Sequence, residues 1–271
     1  MPRRRRAYAR LLAVPRLAVE SLPWVAVFVL LKLVLHRLDI QPLEANPLLS
    51  GLVAATVFLL GFLLAGTAAD YKEAERLPGE LAAALDTIAD ECLLIHADKG
   101  EPAAVETLAR LRTLARSIRE WLYHQREFGS VLGEVRALNE PFAVFSPLAL
   151  PGYVTRLKSE QHTIRRTLIR IDAIRTTSFV AAGYAIAELT GTLLVIGLLL
   201  SNIGDLAESL FFTGVIGLLM TYLFLLVRDL DDPFGYVKGE EGAADVSLKP
   251  LEDVALRLEA EYQRLRTAPA S

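Results

Sequence analysis

The sequence predicts an all-α membrane protein with four transmembrane helices and a helical cytoplasmic domain. Three observations carry this. Four stretches of about 20 mainly apolar residues are long enough to cross a bilayer as helices. The segments between and after them carry apolar residues at helical spacing. Hydrophobic residues make up 53% of the 271 positions and charged residues 23%, too apolar for an ordinary soluble chain and too charged for one that only spans. The net charge of −3 conceals an uneven distribution and says little about partners.

The start, "MPRRRRAYARLLAVPRLAVESLPWVAV", is basic and then apolar, as a signal peptide is. It has no clear small-residue cleavage site and runs on into a longer apolar stretch, so it reads as mature protein. The first span, 22–38, contains Lys32, whose ammonium is expected to snorkel to the interface. The second, 48–69, has no charge; the third, 178–202, has one internal acid, Glu188; the fourth, 209–227, has none. Arg3, Arg4, Arg5, Arg6, Arg10 and Arg16 precede the first span, whereas the loops "DIQPLEANP" and "NIGDLAES" hold no lysine or arginine. Both long segments, 70–177 and 228–271, are rich in them. The positive-inside rule then gives two hairpins with both termini in the cytoplasm. The expected organisation is 1–69 for the basic segment and first hairpin, 70–177 for a helical block, 178–227 for the second hairpin, and 228–271 for a tail packing on the block.

Leu77, Leu81, Leu85, Ile88, Cys92 and Ile95 form one apolar stripe at steps of four and three. After "DKGEP", with Pro102 suited to a first helical position, Leu108, Leu111, Ala115, Ile118 and Leu122 repeat it. Val154, Leu157, Ile164, Leu168 and Ile171 mark a third helix leading toward the third span. The proline-rich "NEPFAVFSPLALPGY" reads as an irregular connection. A last helix starts near "SLKPLEDVALRLEAEYQRL", with Ser247 as its cap.

Three local motifs, "FLLGF" followed by "EAERLPG", then "IRIDAIRTTSFVAAGY" and then "RDLDDPFG", together resemble the bestrophin family and specifically its bacterial branch. The first is similar to the family's second span and its continuation. "IRIDAIRTTSFVAAGY" resembles the start of the third span, and "RDLDDPFG" the signature after the fourth. Two departures stand out: "TTSFVAAG" lacks the prolines usual there, and "LLAGTAADYK" lacks the arginine and tryptophans often found after the second span. The resemblance implies a bestrophin-like homopentameric ion channel of a bacterial inner membrane. It needs no cofactor, and its partners are further copies of itself, membrane lipid and the permeating inorganic ions. Calcium-gated animal members carry an acidic cluster after the signature. Here "YVKGEEG" offers only Glu240 and Glu241 after Lys238, which argues against calcium control.

In bestrophins the second span lines a narrow hydrophobic neck, and an ungapped alignment of "FLLGF" puts Ala54, Phe58 and Phe62 at the neck positions. Spacing of four places them on one helix face, and phenylalanine rings around an axis can gate by dewetting. Read from periodicity alone, the same spacing favours lipid-facing or interhelical packing aromatics, and the family alignment reverses that preference. Further along that face come Gly66, Asp70 and Glu73, with Glu75 and Glu80 nearby. Rings of Asp70 and Glu73 would concentrate cations in a vestibule, so the expectation leans toward cation permeation. The bland alternative is a solvated helix end, where charged residues are expected.

Glu188 is a candidate intramembrane polar site, either on an ion path or hydrogen-bonded between helices as a protonated acid. Asp205 and Glu208 are loop acids at the expected outer mouth. Asp231, Asp232, Pro233, Phe234 and Gly235 form the signature turn, read as structural, with Phe234 packed into the cytoplasmic core. Cys92 and His96 have a metal-ligand spacing but no second pair, and a single cysteine excludes an internal disulfide. His36, His124 and His162 are scattered. Phosphate-loop, dinucleotide, hydrolase and metalloprotease motifs are missing, and the spans offer no nucleophile and base, so no enzyme is expected. The "RRRR" run beside a span fixes topology and touches anionic lipid rather than nucleic acid. The alternative to a channel is a non-conducting scaffold or sensor whose cytoplasmic helices bind a partner. A coherent second-span face, hydrophobic and then acidic, favours the channel.

Overall fold

Helices apolar on every side and helices apolar on one side alternate along this chain, and the two kinds sort into separate bodies. The computed structural model describes residues 2–44, 46–147, 151–177, 181–236 and 245–267. In order these form α1 (Pro2–Arg37), β1 (Leu43–Glu44), α2 (Pro47–Ala74), α3 (Leu77–Lys99), α4 (Pro102–Leu122), α5 (Phe128–Ala137), α6 (Asn139–Phe145), α7 (Pro151–Thr176), α8 (Ala181–Leu200), β2 (Ser201–Asn202), α9 (Leu206–Asp231) and α10 (Lys249–Thr267). Two compact units result, Met1–Tyr71 with Ser178–Asp232, and Lys72–Thr177 with Pro233–Ser271. Four apolar segments are long enough to cross a membrane, starting at Arg16, Pro47, Gly183 and Leu206, and all four begin in the first unit.

In the membrane unit α1 packs along α9. Gly217 permits the close approach: a Cβ there would meet the Phe28 ring at 3.0 Å. Leu60 and Leu63 of α2 join Leu194 and Leu198 of α8 and Met220 of α9 in a buried core. Buried hydroxyls on α2 satisfy themselves locally, Thr56 donating to the Leu52 carbonyl at 2.8 Å and Thr67 to that of Leu63 at 3.1 Å.

Lys32 does not snorkel: it is fully buried. Its ammonium donates to the carbonyl oxygens of Leu198 at 2.7 Å and Leu199 at 3.3 Å, and to that of Ser201. The Leu198 and Leu199 carbonyls end α8, where helix geometry leaves acceptors without intrahelical donors and a cation is favoured, and Ser201 follows directly. The same region carries a second tie that the sequence did not signal, a two-residue parallel ladder of Leu43 against Ser201 and Glu44 against Asn202.

In the second unit α3 packs on α7 and α4, and α10 lies on α3 and α4. The apolar stripes meet here: Leu81, Leu85, Ile88, Leu108, Leu111, Ile118, Leu122, Leu157, Ile164, Leu168 and Ile171 are all fully buried. The Ser247 hydroxyl accepts the Lys249 N–H at 3.3 Å as α10 begins. Arg112 holds Glu259 with both carboxylate oxygens, at 3.1 and 3.0 Å.

The connection read as irregular from 139 onward is helical at its start. Pro141 falls in the first turn of α6, where a missing N–H costs nothing, and Phe142 and Phe145 anchor the helix in the core. α2 ends at Ala74, and the chain turns at Glu75 and Arg76 before α3 begins. Pro78 then sits in the first turn of α3.

Candidate functional site

α2 divides its circumference sharply. Leu60, Leu63 and Thr67 are buried, while Ala54, Phe58 and Phe62 are exposed, Phe58 to 78% and Phe62 to 61%. Two large aromatics four residues apart lie on one uncovered face, where a phenylalanine side chain gains little from folding of the single chain. Gly61 beside them has open space where a Cβ would stand, so the face is smooth on one flank of the rings.

Toward the end of α2, Asp70 is half-buried and Glu73 follows one turn later. Glu73 does not stand as a bare charge. Arg170 of α7 grips it through two bonds, Nε to Oε1 at 2.7 Å and Nη2 to Oε2 at 2.5 Å. The Arg170 hydrogen bond holds the Glu73 carboxyl below the ordinary glutamate range. Sequence reasoning found the acid and missed the arginine 97 residues away.

No family model matches the sequence, and no curated protein does either. Solved structures match over nearly the whole length. A bacterial bestrophin homologue from Klebsiella pneumoniae superimposes with a TM-score of 0.72 at 16% identity, covering 89% of this chain and 98% of that one. Two point variants of that homologue give TM-scores of 0.76 at 15% identity, covering 92% and 98%, and 0.69 at 16%, covering 94% and 99%. This chain has the bestrophin fold.

On that bestrophin fold the other sequence candidates separate into structural parts and open ones. Phe234 is buried, as are Pro233 and Tyr236. The Pro233 carbonyl accepts the Val246 N–H at 2.8 Å, and the Tyr236 hydroxyl donates to the Val246 carbonyl at 2.7 Å. Tyr236 also meets Tyr123 edge-on at 5.2 Å and Phe234 at 6.4 Å. The Pro-Phe-Gly half of the signature, with Gly235 between the two rings, is thus a packed clasp of the second unit. Asp231 and Asp232 close α9 in the membrane unit, where Asp231 lies against Tyr184. Lys238, Glu240 and Glu241 lie outside the described residues.

Asp205 caps α9, its Oδ1 accepting the Glu208 N–H at 2.8 Å. Gly204, at φ 58°, has no room for a Cβ beneath the Glu208 carboxylate. Asp205 therefore has a local structural task, and the Glu208 side chain lies over Gly204. Cys92 is buried against Thr107, and burial pushes its thiol up to about 12, the opposite of a metal-binding thiolate. His96 faces the Glu101 carbonyl at 3.4 Å. Among the described residues no three His, Cys, Asp or Glu side chains group as a metal site.

Glu188 is exposed on α8 and lines a cleft of about 600 Å³ between α1, α2, α8 and α9. Arg228 lines the same cleft and was not singled out in the sequence. Its only signal there was a cation at the end of the fourth span.

Proposed function

We propose that this chain is the subunit of a bestrophin-like homopentameric ion channel in a bacterial inner membrane, with both termini cytoplasmic. The observation that carries the reading is the exposed face of Ala54, Phe58 and Phe62 on a helix whose opposite face is buried. The bestrophin fold of the chain supports it. Five copies of that face around an axis make a neck of two phenylalanine rings, narrow and apolar, through which ions pass passively when it is wetted. No chemical step and no bound cofactor enter this reading. Membrane lipid surrounds the protein, and inorganic ions pass through it.

Cation preference follows from acids where α2 leaves the apolar segment. Asp70 supplies negative potential, and Glu73 adds to it less than its sequence suggested because Arg170 offsets its charge. Recording of purified protein in a planar bilayer under a KCl gradient tests both levels. Reversal near the potassium equilibrium potential supports cation permeation, and reversal near the chloride value keeps the channel and overturns its selectivity. If the protein is silent, Phe58→Ala with Phe62→Ala must conduct; a silent double variant refutes the pore and favours the scaffold reading.

A further inference from the structure

The cleft of about 600 Å³ in the membrane unit lies within the size range of ligand pockets, roughly 300–1,000 Å³. Its walls are mainly apolar, with Trp24 and Phe28 from α1, Leu60 from α2, and Met220 and Phe224 from α9. Beside the hydroxyls of Thr192 and Thr221, two charged groups break that pattern, the carboxylate of Glu188 and the guanidinium of Arg228. Both are exposed, and among the described residues neither makes a hydrogen bond or an ion pair.

They sit at one depth. α8 and α9 form a hairpin, and Tyr184 on α8 lies against Asp231 on α9. One turn along α8 from Tyr184 is Glu188, and one turn back along α9 from Asp231 is Val227, next to Arg228. A negative and a positive side chain therefore line one apolar cleft at a similar level without pairing. They lie at the end of the helices where α8 begins and α9 finishes. Charges in an apolar membrane setting are costly unless compensated. An anion would satisfy Arg228 and leave Glu188 bare; a cation would do the reverse.

We propose that the cleft binds one aminophospholipid, its phosphate held by Arg228 and its primary ammonium by Glu188, with an acyl chain along Phe28, Leu60, Met220 and Phe224. Guanidinium holds phosphate through paired N–H donors, and a primary ammonium donates to a carboxylate where a quaternary one cannot. The ligand class is thus phosphatidylethanolamine rather than phosphatidylcholine or phosphatidylglycerol. In the orientation proposed above, the site belongs to the cytoplasmic leaflet. The inference rests on the membrane unit being embedded and not on conduction, so a silent bilayer recording does not touch it.

Trp24 lines the cleft and is one of two tryptophans, so Trp121→Phe leaves it as the only indole. Vesicles carrying brominated-acyl phosphatidylethanolamine, phosphatidylcholine or phosphatidylglycerol at equal mole fraction quench Trp24 according to which lipid occupies the site. Phosphatidylethanolamine is expected to be preferred about three- to tenfold over phosphatidylcholine, the net value of one hydrogen bond at an exposed carboxylate. Glu188→Gln should abolish that preference, and Arg228→Gln should weaken quenching by all three lipids. Equal quenching by phosphatidylethanolamine and phosphatidylcholine, a preference that survives Glu188→Gln, or strongest quenching by phosphatidylglycerol each overturns the proposal. So does quenching by none of them, which would mean that a second copy of the chain covers the cleft. Native mass spectrometry of the unsubstituted protein after delipidation gives the same discrimination if Trp121→Phe fails to fold: retained phosphatidylethanolamine supports the proposal and its loss alongside the other lipids refutes it.

Discussion

Replacing the exposed phenylalanines of α2 should separate conduction from stability. Phe58 is 78% exposed and Phe62 61%, so only 22% and 39% of each residue's surface is withdrawn from solvent in the subunit. Truncating a fully buried phenylalanine costs about 3–5 kcal/mol, and those fractions reduce it to about 1 kcal/mol for Phe58→Ala and about 1.5 kcal/mol for Phe62→Ala. A ring facing a pore stays accessible after assembly, so the small cost should persist in the oligomer. Leu63 is the control, 1% exposed on the opposite side of the same helix, where truncation should cost about 2–5 kcal/mol. Thermal unfolding in detergent and single-channel recording on the same preparations check both halves. Phe58→Ala and Phe62→Ala should raise open probability with little loss of stability, and Leu63→Ala should do the reverse. If the phenylalanine variants unfold as readily as Leu63→Ala while currents stay unchanged, the rings are packed against protein and the neck is refuted.

Three further outcomes follow from named contacts. Arg170→Gln should uncover one carboxylate per subunit and shift the reversal potential toward potassium, and Glu73→Gln added to it should cancel the shift. The pair itself, with side chains 45% and 41% exposed, should show a coupling of only about 0.2–1 kcal/mol in a double-mutant cycle. Lys32→Met should lower the thermal midpoint, because the carbonyls of Leu198, Leu199 and Ser201 lose their donor, a cost of about 2–4 kcal/mol; an unchanged midpoint would mean that water replaces the ammonium. Hydrogen bonding from Gln263, and then the charge of Arg112, hold the Glu259 carboxyl below its usual range. Its contribution to α10 is thus complete above the ordinary glutamate value of about 4.3 and is lost as pH falls through the lower folded value. Protection of α10 amides against hydrogen exchange should fall in that acid window, and Glu259→Gln should remove the pH dependence.

Features that repeat locally were legible in the sequence. Leu81, Leu85, Ile88 and Cys92 lie on one face because helix geometry puts residues three and four apart together, and all are buried. Four apolar runs could be counted for the same reason, since bilayer thickness alone sets their length. Pro141 misled because proline breaks a helix in its interior yet starts one at its first turn, and only the buried Phe142 and Phe145 decide between the two.

Charge was the hardest property to read, because its meaning depends on a partner far along the chain. Lys32 looked like an interfacial lysine from its neighbours in sequence, whereas its acceptors lie 166 to 169 residues away. Glu73 looked like a bare vestibule acid until Arg170 was placed beside it. Glu188 is the converse case: the sequence marked it as costly, and the structure leaves it facing a cleft with an opposite charge it does not touch. An ionisable side chain in a span has to be compensated, by backbone as at Lys32, by another side chain, or by something outside the chain. Compensation from within the described residues is found for Lys32 and Glu73 and is missing for Glu188 and Arg228. That contrast, rather than the presence of an acid in a span, singles out the cleft.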